Sequence, residues 1–198
     1  MYRTIFEDAS FPSALLALDD EMAEAAQRAG CPYCGGRLDS ARYPRKPRGG
    51  LWALGPEHDF RHSFCCAREG CRRRVTPPSV RFLGRRVYLG AVVVLATALA
   101  QGDAAWVVSR LTRLLGIGRR TLVRWRRWWR LDIAADKRLE EARGDFMPVP
   151  DFSALPGSLL ERFAGEPSVR LTHLLKSLCR WFGSRFPKEG GGPAEDAR

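Results

Sequence analysis

Two cysteine clusters constrain this chain more than any other feature. Cys31-Pro32-Tyr33-Cys34 is followed by Gly35 and Gly36, and Cys65, Cys66 and Cys71 lie in a second group with Gly70 before its last member. A Cys-x2-Cys turn aims two thiolates at one tetrahedral ion, and glycine allows the tight turn and close backbone approach. Cys66 and Cys71 supply the second pair. Cys65 and Cys66 are adjacent, so their side chains leave an extended strand on opposite sides and one of them completes the set. Cys66 is preferred, because Cys65 would need a looser spacing to Cys71. His58 and His62 are alternative nitrogen donors, although four cysteines suffice. A redox Cys-x2-Cys would normally open a helix in a βαβ pattern, which is absent here. The expectation is a closed, structural Zn2+ site of Cys31, Cys34, Cys66 and Cys71. It would hold together a segment with little core of its own.

The compartment fits that reading. The start of the chain lacks a basic region followed by an apolar run, so a cytoplasmic location is expected. There the reducing milieu favours metal binding over disulfides. The most apolar stretch, residues 87–100, is fourteen residues long. A bilayer span needs roughly 20, so this stretch reads as a buried core helix and no membrane partner is expected.

Periodicity and breakers divide the 198 residues into segments. Residues 1–30 form an acidic segment with a helix over 12–28 that stops at Gly30. Leu15, Leu16, Leu18, Met22 and Ala26 make its apolar stripe, and Asp19, Asp20, Glu21 and Glu24 its solvated face. Such a helix packs as an ordinary element or docks in cis on a basic module. Residues 31–84 read as loops and short strands around the metal, with Phe60, His62 and Phe64 alternating. Residues 85–147 read as helices over 87–101, 104–115 and 119–130, with a mixed-charge extension to 147. Asp103 is the expected N-cap of the second and Gly116 its stop. Pro148 and Pro150 mark a break. Residues 148–186 carry amphipathic helices over 158–164 and 168–186. Leu171, Leu174, Leu175, Leu178 and Phe182 share one face there, for oligomerisation, partner contact or plain core packing. The lone Cys179 on that helix reads as packing. Residues 187–198 read as a disordered tail. The expected fold is mainly α with a small β zinc ribbon.

Charge is concentrated in the middle. The whole chain carries a formal +11, and residues 31–130 alone hold 21 basic and 5 acidic groups, a net +16. That excess calls for a polyanionic partner. Only 4 of the 33 basic residues are Lys. Arg forms bidentate bonds to phosphates and guanine edges, although GC-rich coding also favours it. Seven Arg fall within residues 113–130. Leu111, Leu115, Ile117, Leu122, Trp125 and Trp129 form an apolar stripe across the glycine turn, and Arg120, Arg124 and Arg127 fall opposite it. This is the pattern of a helix-turn-helix, in which one face packs and the other meets the major groove of duplex DNA. Arg119, Arg120, Thr121 and Arg124 open the second helix, with Arg120 and Arg124 best placed for base edges. Arg127 and Arg130 suit phosphates. Trp125, Trp128 and Trp129 read as core rather than as stacking groups. Arg72, Arg73 and Arg74, with Arg81, Arg85 and Arg86, form a second basic patch for the DNA backbone. Arg42, Arg45, Lys46 and Arg48 form a third, in a flexible loop.

The order of these motifs resembles the N-terminal part of certain bacterial insertion-sequence transposases and their small regulatory proteins. There a Cys-Pro-x-Cys zinc ribbon and a second cysteine pair followed by Arg-rich residues precede a helix-turn-helix. The resemblance covers residues 31–130. It implies structural zinc, recognition of duplex DNA such as a mobile-element end or a promoter, and a transposase or other recombination protein as partner. Those transposases also carry a long RNase-H-like domain with three spaced acids. Here 68 residues follow Arg130, and Asp132, Asp136, Glu140, Glu141 and Asp145 fall mostly at helical spacing. The expectation is therefore a DNA-recognition or regulatory factor that is not itself an enzyme. The alternatives are an adaptor that binds protein or RNA, and the DNA-targeting subunit of a transposase or nuclease complex. A homodimer would suit a palindromic site.

Overall fold

The computed structural model describes residues 3–50, 52–101 and 104–187. Its architecture is mainly helical with small antiparallel sheets. Helix α1 covers Arg3–Glu7 and α2 covers Phe11–Ala29, with Pro12 in its first turn and Gly30 beyond its end. Strands β1 (Leu38–Ser40), β4 (Phe64–Cys66) and β5 (Arg74–Val75) form a three-stranded sheet in the order β1-β4-β5. Strands β2 (Tyr43–Pro44) and β3 (Phe60–Arg61) pair separately. Three longer helices follow, α3 (Gly90–Leu99), α4 (Ala105–Leu114) and α5 (Arg119–Arg127). A π-helical segment, Trp128–Ile133, continues α5, and α6 (Lys137–Glu141), α7 (Gly157–Leu160) and α8 (Pro167–Phe182) complete the chain.

Helix α3 is the centre of the packing. It is apolar all round and buried from Gly90 to Thr97, as a helix enclosed on every side must be. The main core gathers Ile5, Phe6, Phe11 and Leu15 from α1 and α2, Ala91 to Ala96 of α3, the stripe Leu111, Leu115, Ile117, Leu122, Trp125 and Trp129, and Leu171, Leu174, Leu175, Leu178, Cys179 and Phe182 of α8. The three helical segments drawn from the sequence thus share one core. Leu171, Leu174, Leu178 and Phe182 are buried within it, so they offer no contact surface to a partner.

Several elements differ from their sequence reading, each for a physical reason. Asp19 is buried, not solvated. It lies at i+4 from Leu15 and i−4 from Ala23, both buried, so it belongs to the inward face of α2. Its charge is matched there: Arg81 Nε donates to Asp19 Oδ2 at 2.8 Å, Ser79 Oγ to the same oxygen at 2.6 Å, and the Val80 amide to Oδ1 at 2.7 Å. Arg81 is therefore removed from the second basic patch. Arg86 is half-buried with its guanidinium 3.7 Å above the Trp128 ring. The third patch is not a free loop. Residues 43–44 pair with β3, Arg45 donates to the Arg85 carbonyl at 2.6 Å, and the Arg48 amide to that of Val87 at 2.9 Å. Pro187 is held as well, because its carbonyl accepts from Trp128 Nε1 at 2.9 Å. The rest of the expected tail, residues 188–198, lies outside the described residues, and so does Asp103.

The third helix of the central segment does not run on as an α-helix. The Ala134 amide donates to the Trp129 carbonyl five residues back at 3.1 Å, and this wider turn keeps Trp128, Trp129 and Ile133 all in the core. The helix expected over 158–164 is shorter because it stops at Leu160.

Candidate metal centre and nucleic-acid interface

The four cysteines chosen from spacing converge. Cys31 and Cys34 lie in the turn before β1, Cys66 ends β4, and Cys71 lies in the loop to β5. Their sulfurs all fall within 4.8 Å of one another. Cys31 Sγ is 3.8 Å from Cys71 Sγ, and Cys34 Sγ is 3.5 Å from Cys66 Sγ. A tetrahedron with metal–sulfur bonds of 2.3 Å has an edge of about 3.8 Å, so the cluster has the dimensions of a four-thiolate metal site. Cys65 is not part of it. It pairs with Asp39 across the sheet and points the other way, with its sulfur 3.5 Å from the Arg72 carbonyl. His58 and His62 are engaged elsewhere.

The backbone builds two similar turns around the cluster. The Cys31 carbonyl accepts from the amides of Cys34 and Gly35, and the Arg68 carbonyl accepts from those of Cys71 and Arg72. Arg72 thus stands where Gly35 stands in the first turn, and both have positive φ, 44° and 70°. The second turn takes its other ligand from Cys66, two residues before Arg68. Gly36 is needed for space: a Cβ there would lie 3.1 Å from Cys66 Sγ and 3.3 Å from Cys34 Sγ.

The surroundings of the cysteines are unequal. The Gly36 amide, then the thiols of Cys66 and Cys71, draw Cys34 down to about 7. The Arg68 amide pulls Cys66 down too, but burial and the neighbouring sulfurs outweigh it and push that thiol up to about 12. Cys71 is raised in the same way, against the pull of the Arg73 amide. Four thiolates at these distances need a cation between them.

A small second core surrounds the site: Ala23, Cys31, Leu38, Phe64 and Cys66. Helix α2 enters both cores, through Leu15 at one end and Ala23 towards the other. Asp20 Oδ1 accepts from His62 Nε2 at 2.6 Å, which ties the same helix to the residue that follows β3. The acidic helix does dock on the basic part, but through Asp19 and Asp20 rather than through its exposed Glu21 and Glu24.

The basic surface lies on α5. Leu122 and Trp125 are buried, and Arg119, Arg120, Val123, Arg124 and Arg127 are exposed. Four residues, Leu115 to Gly118, separate α4 from α5. Gly116 makes the bend at φ 61°, and Ile117 plugs it at 5 % exposure. Thr121 is half-buried in the first turn of α5. Arg130 is exposed but lines a cavity with Arg126. Arg72 and Arg73, in the loop before β5, and Arg74, which opens it, are exposed, with the Arg73 guanidinium 4.5 Å above the Tyr33 ring. Sequence reasoning counted Arg113 in the basic run without giving it a contact, and passed over Arg110, exposed on the same helix α4, and Trp106, which is 70 % exposed there. The off-stripe position of Trp106, one residue before Val107, was the available signal.

No protein family, no curated protein and no solved structure matches the chain. Among the described residues no helix is long and apolar enough to cross a membrane. The functional reading therefore rests on the metal cluster and the arginine face.

Proposed function

We propose that the chain is a zinc-ribbon and helix-turn-helix protein that binds duplex DNA as a recognition or regulatory factor. The observation that carries this reading is the two-sidedness of α5. Its inward face is Leu122 and Trp125, and its outward face is Arg119, Arg120, Arg124 and Arg127, immediately after a four-residue turn from α4. Arg120 and Arg124, one turn apart, would meet base edges, and Arg119, Thr121 and Arg127 would meet phosphates beside them. Arg72, Arg73 and Arg74 would add backbone contacts from the sheet. The ion is Zn2+ in this reading, in a closed structural role, because four thiolates leave no open position for chemistry.

The order of ribbon and helix-turn-helix supports a place in DNA mobility, with a transposase or recombination protein as partner. A non-catalytic role is supported by the use of the downstream acids. Asp136 caps α6 and pairs with Arg138 at 2.7 Å, Glu140 pairs with Arg143, and Asp145 with Arg180. Trp106 and Leu114, exposed together on α4, favour a second reading in which the chain is an adaptor for a protein partner.

Selection from a randomised duplex pool at near-physiological salt tests the first reading. A short consensus, lost in the Arg120→Ala/Arg124→Ala variant, is the expected result. Binding without consensus that fades steeply with salt would show polyanion attraction alone and move the adaptor reading forward.

A further inference from the structure

We propose that the tips of the two cysteine turns form a stacking site for one unpaired base of single-stranded DNA, made by Tyr33, Arg73 and Arg72. Tyr33 lies between Cys31 and Cys34 in the first turn and is 56 % exposed. Among the described residues its one ring contact is the Arg73 guanidinium, 4.5 Å from the ring centroid. The ring and the guanidinium belong to opposite turns. The cysteine cluster joins those turns, with Cys31 Sγ 3.8 Å from Cys71 Sγ, and Arg68 Nη1 adds a second tie by donating to the Cys34 carbonyl at 3.3 Å. The cluster therefore also sets the distance between ring and guanidinium.

Arg72 supplies an independent observation. Among the described residues it is the one residue other than glycine with positive φ, 44°. Its amide closes the second turn on the Arg68 carbonyl at 3.2 Å, and Gly35 fills the matching position in the first turn. Glycine takes this conformation without strain, and a long side chain does not. The hydrogen bonds of Arg72 among the described residues are those of its backbone, and its side chain is exposed. Neither the turn nor the packing calls for arginine there, which points to a role for the side chain outside the fold.

These groups select an unpaired base. Stacking needs the flat face of a base, and in a duplex both faces are covered by neighbouring pairs. An aromatic ring and a guanidinium plane each take such a face, with little regard to sequence. Bulk charge does not account for the cluster. Residues 31–40 and 64–75 carry five basic and two acidic groups. Zn2+ on four thiolates adds about −2, so the module is close to neutral. Arg72 is left to neutralise a phosphate beside the stacked base, and a shallow salt dependence follows. The choice of DNA over RNA rests on the proposed duplex binding, whereas the stacking does not.

Fluorescence anisotropy of the full-length, Zn2+-loaded protein with a labelled oligothymidylate of about 12 nucleotides tests the site. Saturable binding is expected, and it should be weaker by about fivefold or more for a strand of the same length with abasic sites. Tyr33→Leu and Arg72→Gly should each weaken the oligothymidylate by about the same factor, and Tyr33→Trp, with a larger ring, should bind at least as tightly. Arg72→Gly relieves the turn, so its urea midpoint should equal or exceed that of the wild type, which separates loss of binding from loss of fold. Lys176→Gln, which removes an exposed cation on α8, should bind as the wild type does. Equal affinity for the abasic strand, full affinity in Tyr33→Leu, or full affinity in Arg72→Gly would overturn the proposal. Tighter binding of an oligouridylate of the same length would overturn the assignment to DNA. A wild-type protein that binds no duplex would count against helix-turn-helix recognition and leave the single-strand titration standing.

Discussion

At the scale of single residues, charge inside the fold is the main determinant. Arg81 and Asp19 are 1 % and 2 % exposed, and each depends on the other. Asp19→Ala would leave a buried guanidinium without its counter-charge and should cost about 3–5 kcal/mol, read from urea denaturation at pH 7. Asp19→Asn keeps the shape and some of the hydrogen bonds and should cost less. His58 gives a pH dependence. Burial and then the Arg81 charge hold its pKa below the ordinary value, against the smaller opposing pull of Glu57 and Asp59. The unfolded chain therefore binds a proton more readily than the fold. The stability from neutral His58 is complete above the unfolded pKa of about 6.5 and is lost as pH falls from there through the lower folded value. Denaturation between pH 7.5 and 5.5 should show this fall in the wild type and a flatter profile in His58→Gln. The four converging cysteines were legible as residues because spacing favours Cys66 over Cys65. Asp19 was misread because acidity outweighed its place in the 15-19-23 repeat, and its partner lies 62 residues away.

At the scale of elements, local pattern was informative wherever one side of an element is dry. The stripe from Leu111 to Trp129 gave α4, the turn and α5, and every one of its members is buried. Gly116 is the pivot. It holds φ at 61° with nothing within 4 Å of an added Cβ, so Gly116→Ala would meet backbone strain and no clash. A loss of about 1 kcal/mol is expected in thermal or urea melts, with the fold retained. The π turn was not legible, since a regular 3.6-residue period already puts Leu122, Trp125, Trp129 and Ile133 on one face and leaves no mark where the turn widens. Strands of two or three residues carry too little alternation to be placed from sequence. The pairings Leu38 with Cys66 and Cys65 with Arg74 come from the fold around the cysteines.

At the scale of the whole molecule, two cores of unequal size respond differently to loss of metal. The small core contains two of the cysteines themselves, whereas the main core is built from helices and needs no ligand. Native mass spectrometry should find one Zn2+ per chain. Chelation, or Cys66→Ser, should release amide protection in β1, β4 and β5 while the protection of α3, α5 and α8 and the tryptophan emission persist. A single cooperative loss of both would show that the cores are not separable in energy. Composition anticipated the helical class and the basic middle, but not that residues 3–30 and 148–186 close over the same core, because such long-range pairings leave no local period.

The double membership of α2 bears on inheritance. Ala23 and Ala26 line the core that holds the cysteines, and Asp19 and Asp20 hold Arg81 and His62 in place. A stretch starting at Cys31 would leave behind part of its own packing and two of its acidic anchors. The cysteine module is therefore not a cassette that can be moved between proteins at the glycine before its first cysteine. Any recombination that preserves it has to carry the preceding helix along.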